Sequence, residues 1–385
     1  MRKTNVPSVS TAVVALLLAG TASQAQLAKN DCKYFGNIIT NGVPSDYNTY
    51  WNQASPENSG KWSSVQSSVK STTYNWSGFD IVYNWGKTTG NLVKYHVLVW
   101  GGQQPSDAAS ATIGDLQKWF AAVHTRYPDL NQIDVVNEAY PTHAPAPYSG
   151  VLKTAAASDG ITPGTYDWIF EAFKMARRLW TDSTKTKLIY NDYNTVEYSA
   201  ENTWVVALAK AAKAQNIPID GIGCQSHDVW KVSASTVQSN MDAIAATGFP
   251  LYITEYDIGQ NGTETTPTAA DDATQLSIMT TDVTMFWNDP SVKGVTYWGI
   301  KEGQTWRTGT GIEYADGTPR PSLKWLTTWI PANKGVCGTT SIESADHAQA
   351  IAAPTGLVMH NVNGHLVTGL ERNGQFTALS LLGRY

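Results

Sequence analysis

The stretch LYITEYDI, residues 251–258, sets the expectation for the whole chain. Four mostly apolar, strand-favouring residues end in the carboxylate of Glu255, and a second carboxylate, Asp257, follows two positions later. A short apolar run of this kind predicts a buried parallel strand, and packing gives no reason for a glutamate at its end. The stretch IDVVNEA, residues 133–139, repeats the pattern with Glu138. Together they predict two carboxylates, at the ends of two strands, that face one site.

Around these stretches, apolar runs alternate with helical patterns, as in repeated βα units. We predict eight strands, at residues 34–39, 48–53, 96–100, 133–137, 187–193, 219–225, 251–255 and 294–298. Helical patterns lie between them, at residues 115–126, 166–179, 203–215, 235–246 and 269–287. Eight strands over about 300 residues predict an α/β fold, a (β/α)8 TIM barrel with a short C-terminal appendage. A doubly wound open sheet is the alternative, but no glycine-rich phosphate loop follows the first strand.

In such a barrel the C-terminal ends of the strands form the active-site face. Polar or aromatic side chains follow seven of the predicted strands, and core packing does not explain them jointly. They are Glu57 and Asn58, then His96, Trp100 and Gln103, then Asn137 and Glu138, then Asp192 to Asn194, then Gln225 to His227, then Glu255, and last Trp298. The pattern predicts one polar, aromatic-lined site.

Composition narrows the class of partner. The 385 residues carry a formal net charge of −5 and no long run of Lys or Arg, which argues against nucleic acid. The chain has 15 Trp and 18 Tyr but only 15% charged residues. Surplus Trp is typical of sugar-binding clefts, because the faces of pyranose rings stack on flat apolar rings. A large core with ordinary surface aromatics is the alternative.

The first 25 residues have the features of a secretory signal peptide. Arg2 and Lys3 precede an apolar segment at residues 11–20, and small residues at 23–25 allow cleavage after Ala25. That segment is too short to span a bilayer, and no other segment approaches a membrane span. We therefore expect a secreted, soluble protein; a retained anchor is the alternative.

An oxidising compartment permits disulfides among the three cysteines. Cys224 lies in a predicted buried strand, so we expect it to be a free thiol in the core. Cys32 and Cys337 bracket the main body, and the two ends of a closed barrel meet. We therefore predict a Cys32–Cys337 disulfide, with two unpaired thiols as the alternative.

Seven motifs, taken in order, resemble glycoside hydrolase family 10, the family of endo-β-1,4-xylanases. They are ASPENSGKW at 54–62, HVLVW at 96–100, DVVNEA at 134–139, NDYN at 191–194, GIGCQSH at 221–227, ITEYDI at 253–258 and TYWG at 296–299, continuing to Trp306-Arg307. Each motif is weak alone, but the ordered set is highly specific and covers roughly residues 33–331. The resemblance implies a retaining endo-β-1,4-xylanase that acts on xylan and needs no cofactor and no metal.

The resemblance also implies catalytic roles. Glu255 would be the nucleophile that forms a glycosyl-enzyme, and Glu138 would be the general acid and then the general base. Retaining glycosidases place two such carboxyls ~5–5.5 Å apart. His227 and Asp257 would keep Glu255 charged and oriented, although a lone His after a strand is more often a core residue. Asn137 would bond the 2-hydroxyl of the sugar.

Further residues are implied to bind substrate. On the non-reducing side of the cleaved bond these are Glu57, Asn58, Lys61, His96, Trp100 and Gln103, walled by Trp298 and Trp306. Tyr193 and Asn194 would face the leaving-group side, and Gln225 would also contact substrate. For the tryptophans, ordinary core packing is the alternative.

The chain departs most from the family pattern at Gly101-Gly102, where the third-strand Trp is usually followed by His. We interpret the double glycine as widening or loosening the site near the cleaved sugar. A second substrate class therefore stays open, namely β-1,4-glucan or another β-linked glycan. A non-catalytic glycan-binding protein on a degenerate barrel is a third possibility, but Asn137, His227 and both glutamates are present, which argues against it.

The domain prediction follows from these patterns. Residues 26–335 form the catalytic domain, and residues 336–354, rich in Ala, Gly, Ser and Thr, form a linker. Residues 355–385 alternate apolar and polar, with Asn-Gly pairs at 363–364 and 373–374 as hairpin signals, and predict a short β-rich module or tail. This tail loosely resembles the C-terminal sorting modules of some bacterial secretion systems, which would imply delivery to the cell surface. A poorly ordered tail is the alternative, and we expect a monomer.

Overall fold

A computed structural model describes residues 26–259 and 267–338, together with the backbone of three strands between residues 357 and 378. The predicted signal peptide, residues 1–25, and most of the predicted linker lie outside the described residues. Within the described part of the chain, no helix is both long enough and apolar enough to cross a membrane.

Eight parallel strands close into a barrel in which each strand pairs with the next along the chain. They are β1 (Tyr34–Ile39), β2 (Gln53–Pro56), β3 (Leu92–Val99), β4 (Gln132–Asn137), β5 (Lys187–Asp192), β6 (Gly221–Cys224), β7 (Leu251–Tyr256) and β8 (Val292–Tyr297). The barrel is closed by β1 and β8, which pair in parallel from Tyr34 with Gly294 to Asn37 with Tyr297. The predicted (β/α)8 barrel is confirmed.

Helices connect these strands. They are α1 (Tyr47–Tyr50), α2 (Trp62–Val65), α3 (Ser77–Thr89), α4 (Ile113–Arg126), α5 (Ser149–Ser158), α6 (Asp167–Leu179), α7 (Ser199–Ala214), α8 (Ala234–Ala245), α9 (Ala269–Asn288) and α10 (Pro321–Ala332). Capping boxes begin α4 at Thr112 and α9 at Thr268, where each threonine and an aspartate three residues later satisfy each other's backbone N–H. The five predicted helices, α4 and α6 to α9, begin and end within four residues of their predicted bounds.

The predicted second strand, residues 48–53, is wrong. The first half of that segment belongs to the helical turn α1, and β2 begins only at Gln53. The aromatic run that favoured a strand instead places Tyr47 and Trp51 four residues apart, and both rings are buried. Tyr47 also donates its hydroxyl proton to the backbone oxygen of Asn37 in β1. The correction puts Glu57 and Asn58 directly after the end of β2.

A disulfide joins the two ends of the barrel domain. Cys32 precedes β1, Cys337 follows α10, and their Cα atoms are 6.2 Å apart. In a chain-entropy account, a covalent link between residues so far apart in sequence stabilises the folded state by on the order of 5 kcal/mol. Cys224, on β6, is buried and free, as the sequence predicts.

Beyond the barrel, β9 (Leu357–Val362), β10 (His365–Arg372) and β11 (Gln375–Ala378) form an antiparallel sheet in the order β11-β10-β9. Val362 pairs with His365, and Arg372 pairs with Gln375, so each connection is two residues long. Two-residue connections are where Asn-Gly pairs favour hairpin turns. The Asn-Gly pairs themselves lie outside the described residues, and the purpose of this module stays a prediction.

Candidate active site

A cavity of about 530 Å³ lies at the C-terminal ends of the barrel strands. It is lined by Glu57, Asn58, Lys61, His96, Trp100, Gln103, Glu138, Tyr193, Asn194, Gln225, His227, Asp228, Glu255, Trp298, Trp306 and Arg307. Of the residues to which the family resemblance gives a catalytic or binding role, Asn137 and Asp257 are the two that lie behind this lining, and both are buried. The sequence reasoning assigned no role to Asp228 or Arg307, although each directly follows a predicted site residue.

Glu255 is the penultimate residue of β7, lines the cavity and is 5% exposed. Its Oε1 accepts a hydrogen bond from Asn191 Nδ2 at 2.8 Å, and its Oε2 lies 3.4 Å from His227 Nε2. Burial by itself raises the pKa of this carboxyl group. The hydrogen bond from His227 and electrostatic attraction to His96, His227 and Lys94 outweigh burial and lower the pKa of Glu255 to about 2. Glu255 is therefore an anion throughout the neutral range.

His227 is held between two carboxylates. Its Nδ1 lies 3.0 Å from Asp257 Oδ2, on the side of the ring away from Glu255. Burial lowers the pKa of His227, but the charges of Asp257 and Glu255 and their hydrogen bonds raise it to about 10. Asp257 is wholly buried and also accepts a hydrogen bond from Trp306 Nε1 at 2.6 Å. The imidazolium therefore stays charged at neutral pH and keeps Glu255 ionised.

Glu138 follows β4 with a backbone φ of 53°, in the left-handed region that few residues other than glycine adopt. Such strain is found mostly at functional sites. Gln225 Nε2 donates to its Oε1 at 3.0 Å, and Trp100 Nε1 donates to its Oε2 at 2.8 Å. Burial, helped by the negative charge of Glu255, raises the pKa of Glu138 against these two hydrogen bonds. The pKa values of Glu138 and Glu255 are thus shifted in opposite directions.

A chain of hydrogen bonds connects the two glutamates. Asn137 Oδ1 accepts from Gln225 Nε2 at 3.2 Å and from Asn191 Nδ2 at 2.9 Å. Since Gln225 also bonds Glu138 and Asn191 also bonds Glu255, three buried amides hold the two carboxylates in one arrangement. The sequence reasoning placed Asn191 at a strand end without giving it a role. Which neighbour it bonds depends on the barrel register, which sequence motifs do not give.

A polar cluster borders the cavity beside β2 and β3. Asn58 Oδ1 accepts from Lys61 Nζ at 2.9 Å and from Gln103 Nε2 at 3.1 Å. The Lys61 ammonium lies 5.0 Å from the centre of the Trp100 ring, within range of a cation–π interaction. Burial lowers the pKa of Lys61, although the charge of Glu255 opposes the shift. These hydrogen bonds fix the positions of three polar side chains that line the cavity.

Two tryptophans that follow β8 also line the cavity. Trp298 is buried with its ring edge toward His96. Trp306 is 47% exposed, and the Arg307 guanidinium lies 4.3 Å from its ring centre. Arg307 also bonds Asp228 and so ties the loop after β8 to the loop after β6. The half-exposed Trp306 indole offers apolar surface at the edge of the cavity.

Comparison with known proteins identifies the family. The family model described as Glycosyl hydrolase family 10 matches residues 23–325. Endo-1,4-beta-xylanase B of Cellvibrio japonicus is 37% identical over 300 residues, which cover 76% of this chain but only 45% of that relative. Endo-1,4-beta-xylanase A of Phanerodontia chrysosporium is 30% identical over 306 residues, covering 75% of this chain and 71% of the relative.

Solved structures agree at the level of the fold. Native xylanase 10B from Thermotoga maritima superposes with a TM-score of 0.67 at 23% identity, covering 81% of this chain and all of that one. The xylobiose complex of xylanase 10B from Thermotoga petrophila gives a TM-score of 0.66 at 23% identity, covering 79% of this chain and 97% of that one. With its barrel, its paired strand-end glutamates and a family match over most of its length, the chain belongs to glycosyl hydrolase family 10 and is a glycoside hydrolase.

Proposed function

We propose that this protein is a secreted, retaining endo-β-1,4-xylanase that cleaves internal bonds of xylan by double displacement. The observation that carries the proposal is the opposite shift in pKa of the two cavity glutamates, lowered for Glu255 and raised for Glu138. Two titratable groups pushed apart in this way mark a base or nucleophile and an acid. The relatives named above are endo-1,4-beta-xylanases, which supports xylan as the substrate class.

In the first step, the Glu255 carboxylate attacks the anomeric carbon while Glu138 donates its proton to the departing glycosidic oxygen. The charged His227 prevents Glu255 from taking up a proton and limits its rotation. The bond to the leaving sugar breaks as the bond to Glu255 forms, which leaves a covalent glycosyl-enzyme.

In the second step, Glu138, now ionised, removes a proton from water, which attacks the same carbon and releases Glu255. Asn137 accepts two hydrogen bonds at its Oδ1, so its NH₂ group is the side of the amide that can donate to the 2-hydroxyl of the sugar. A contact at that hydroxyl strengthens as the oxocarbenium-like transition state forms. Asp257 acts only through His227, whose ring it orients.

The cavity divides around the two glutamates. We assign the sugars on the non-reducing side to Glu57, Asn58, Lys61, His96, Trp100, Gln103, Trp298 and Trp306. The leaving-group subsite, defined as the part of the cavity that holds the sugar on the reducing side of the cleaved bond, is assigned to Tyr193 and Asn194. Gln225 lines the cavity, but its NH₂ group is engaged by Asn137 and Glu138, so it acts mainly by orienting Glu138.

Export is supported by the N-terminal pattern at residues 1–25 and by the Cys32–Cys337 disulfide, because such bonds persist in oxidising compartments. A protein of this kind meets its polymeric substrate outside the cell. The β-rich C-terminal module adds delivery to the cell surface as a second destination outside the cell.

Reducing-end release from xylan and from carboxymethyl-cellulose, measured side by side with the full chain, tests the substrate. We expect xylan to be cleaved at least about tenfold faster, a difference of about 1.4 kcal/mol in transition-state stabilisation. Faster release from carboxymethyl-cellulose would assign the site to β-1,4-glucan, and xylan binding without hydrolysis would make the chain a glycan-binding protein.

A further inference from the structure

We infer that His143 is a positioning residue of the leaving-group subsite, where it backs the ring of Tyr193 and so fixes the surface on which the leaving sugar rests. This inference rests on the proposed function. His143 lies in the loop between β4 and α5, outside every family motif quoted above, and does not line the cavity.

The two rings form a close stack. Their centroids are 3.5 Å apart, with an angle of 14° between the ring planes. The His143 side chain is only 4% exposed, whereas Tyr193 borders the cavity. Because His143 covers one face of the Tyr193 ring, a ligand in the cavity can meet only the other face and the edge. Flat aromatic faces of this kind stack on sugar rings.

One buried carboxylate anchors both members of the stack. Asp192 Oδ1 lies 2.7 Å from His143 Nδ1 and accepts the backbone N–H of Tyr193 at 2.9 Å. Asp192 Oδ2 accepts the Tyr190 hydroxyl at 2.6 Å. On its far side, His143 Nε2 lies 3.8 Å from Glu201 Oε1. The imidazole therefore cannot rotate away from Tyr193 without breaking a buried interaction, which costs more than an exposed one.

The stack lies beside the proposed acid. Burial raises the pKa of Tyr193 to about 12, and the charge of Glu138 contributes to that rise. The backbone N–H of Glu138 donates to Asn191 O at 2.9 Å, and the N–H of Ala144, next to His143, donates to Glu138 O at 3.1 Å. Both chain segments of the stack are thus tied to Glu138, and Tyr193 and Glu138 line the same cavity. We therefore assign Tyr193 to the side where the leaving oxygen is protonated.

Gly101, where the chain departs from the family pattern, accounts for the position of the loop that carries His143. The backbone N–H of Gly101 donates to Ala144 O at 2.8 Å. A Cβ atom added at Gly101 would lie 2.4 Å from Ala144 O and 2.6 Å from Pro145 O, closer than real Cβ contacts. Glycine at 101 is therefore needed for the loop that carries His143 to pack against the loop after β3.

The sequence-based interpretation of the double glycine changes accordingly. At Gly101 the freed space is filled by the backbone of residues 144 and 145, so it does not widen the cavity there. Gly102 packs against the Trp100 indole, where a Cβ would come within 2.6 Å of the ring. Gly101 therefore allows the loop at residues 144–145 to pack closely, and Gly102 allows the Trp100 indole to do so. That loop also carries His143, which supports the Tyr193 ring.

Two substrates separate the leaving-group subsite from the rest of the cavity. Xylohexaose places a sugar against Tyr193, whereas β-xylobiosyl fluoride has a single-atom leaving group that cannot touch it. For His143→Ala and His143→Asn we expect the ratio of kcat/KM for xylohexaose to kcat/KM for the fluoride to fall about fivefold, mainly through a higher KM for xylohexaose. The Asn variant keeps an N–H donor for Asp192 but removes the ring. A loss of the same size in both variants therefore comes from the missing ring and not from an unpaired Asp192 carboxylate.

His124→Ala is the matched control. His124 also packs against an aromatic ring, that of Trp180, but away from the cavity, and the control should keep the wild-type ratio. An equal loss on both substrates in the His143 variants, or an unchanged ratio, would overturn the inference. If the wild-type chain prefers glucan, cellohexaose and β-cellobiosyl fluoride give the same comparison. A wild-type chain inert on all four substrates would refute the proposed function itself, a result distinct from an unchanged ratio.

Discussion

Glu255→Gln is expected to lower the rate of xylan hydrolysis by at least about 10⁴-fold, because the amide cannot act as the nucleophile that forms the glycosyl-enzyme. The amide is nearly isosteric and can still accept from Asn191 at its oxygen, so the cavity should keep its shape. It removes the anion that balances the charge of His227. The measurement is kcat/KM on xylohexaose and on soluble xylan, with circular dichroism to confirm folding.

The matched control is Glu171→Gln on α6. Glu171 is as buried as Glu255 but lies outside the cavity, and burial raises its pKa to about 7. Loss of that carboxylate should leave kcat/KM within about twofold of wild type. Adding azide to a Glu255→Gly variant should restore turnover and yield the α-glycosyl azide. Activity of Glu255→Gln near the wild-type level would remove Glu255 from the mechanism.

Glu138→Gln is expected to lower the rate on xylan by about 10²- to 10⁴-fold, the range that general acid–base catalysis contributes. The effect on β-xylobiosyl fluoride should be far smaller in the first step, because fluoride leaves without a proton. Pre-steady-state release of fluoride separates that step from the second, which still needs the base. Equal losses in fluoride release and in xylan hydrolysis would contradict the acid role.

The pH dependence of kcat/KM tests the same assignment of Glu138 as the acid and Glu255 as the nucleophile. Glu138 must be protonated to act as the acid, and its pKa is raised, so kcat/KM should stay high into a less acidic range and then fall as pH rises through that pKa. Glu255 must be ionised to act as the nucleophile. Because its pKa is about 2, kcat/KM should fall on the acidic side only at very low pH. The alkaline fall should appear in kcat/KM for xylohexaose and be absent from the rate of fluoride release from β-xylobiosyl fluoride, because fluoride leaves without a proton. An equal alkaline fall in both rates would assign it to another group.

Much of the site could be predicted because strand ends of a parallel barrel meet on one face. Once strands were assigned at β4 and β7, Glu138 and Glu255 had to face the same cavity, whatever lay between them. Fourteen of the predicted site residues line that cavity. The second strand failed because aromatic residues favour strands and buried helical turns alike, and the packing of Tyr47 and Trp51 decided between them.

The contacts between loops could not be predicted. The stack of His143 on Tyr193 joins residues 50 apart in sequence through a loop with no regular pattern. Gly101 could be recognised as unusual, but whether it opens space or admits another backbone depends on where residues 144 and 145 run. The bridging role of Asn191 likewise depends on the register between β4, β5 and β6. These contacts depend on the three-dimensional arrangement of the loops and strands. The catalytic pair, in contrast, could be predicted from the pattern of strands in the sequence.

Double displacement at Glu255 and Glu138 is tested most directly by the configuration of the first product. Proton NMR of xylohexaose hydrolysis, followed from the first seconds, distinguishes the anomers at the new reducing end before they interconvert. We expect the β anomer to appear first and the α anomer to form only by mutarotation. An α anomer formed first would mean direct attack by water and would contradict Glu255 as the nucleophile.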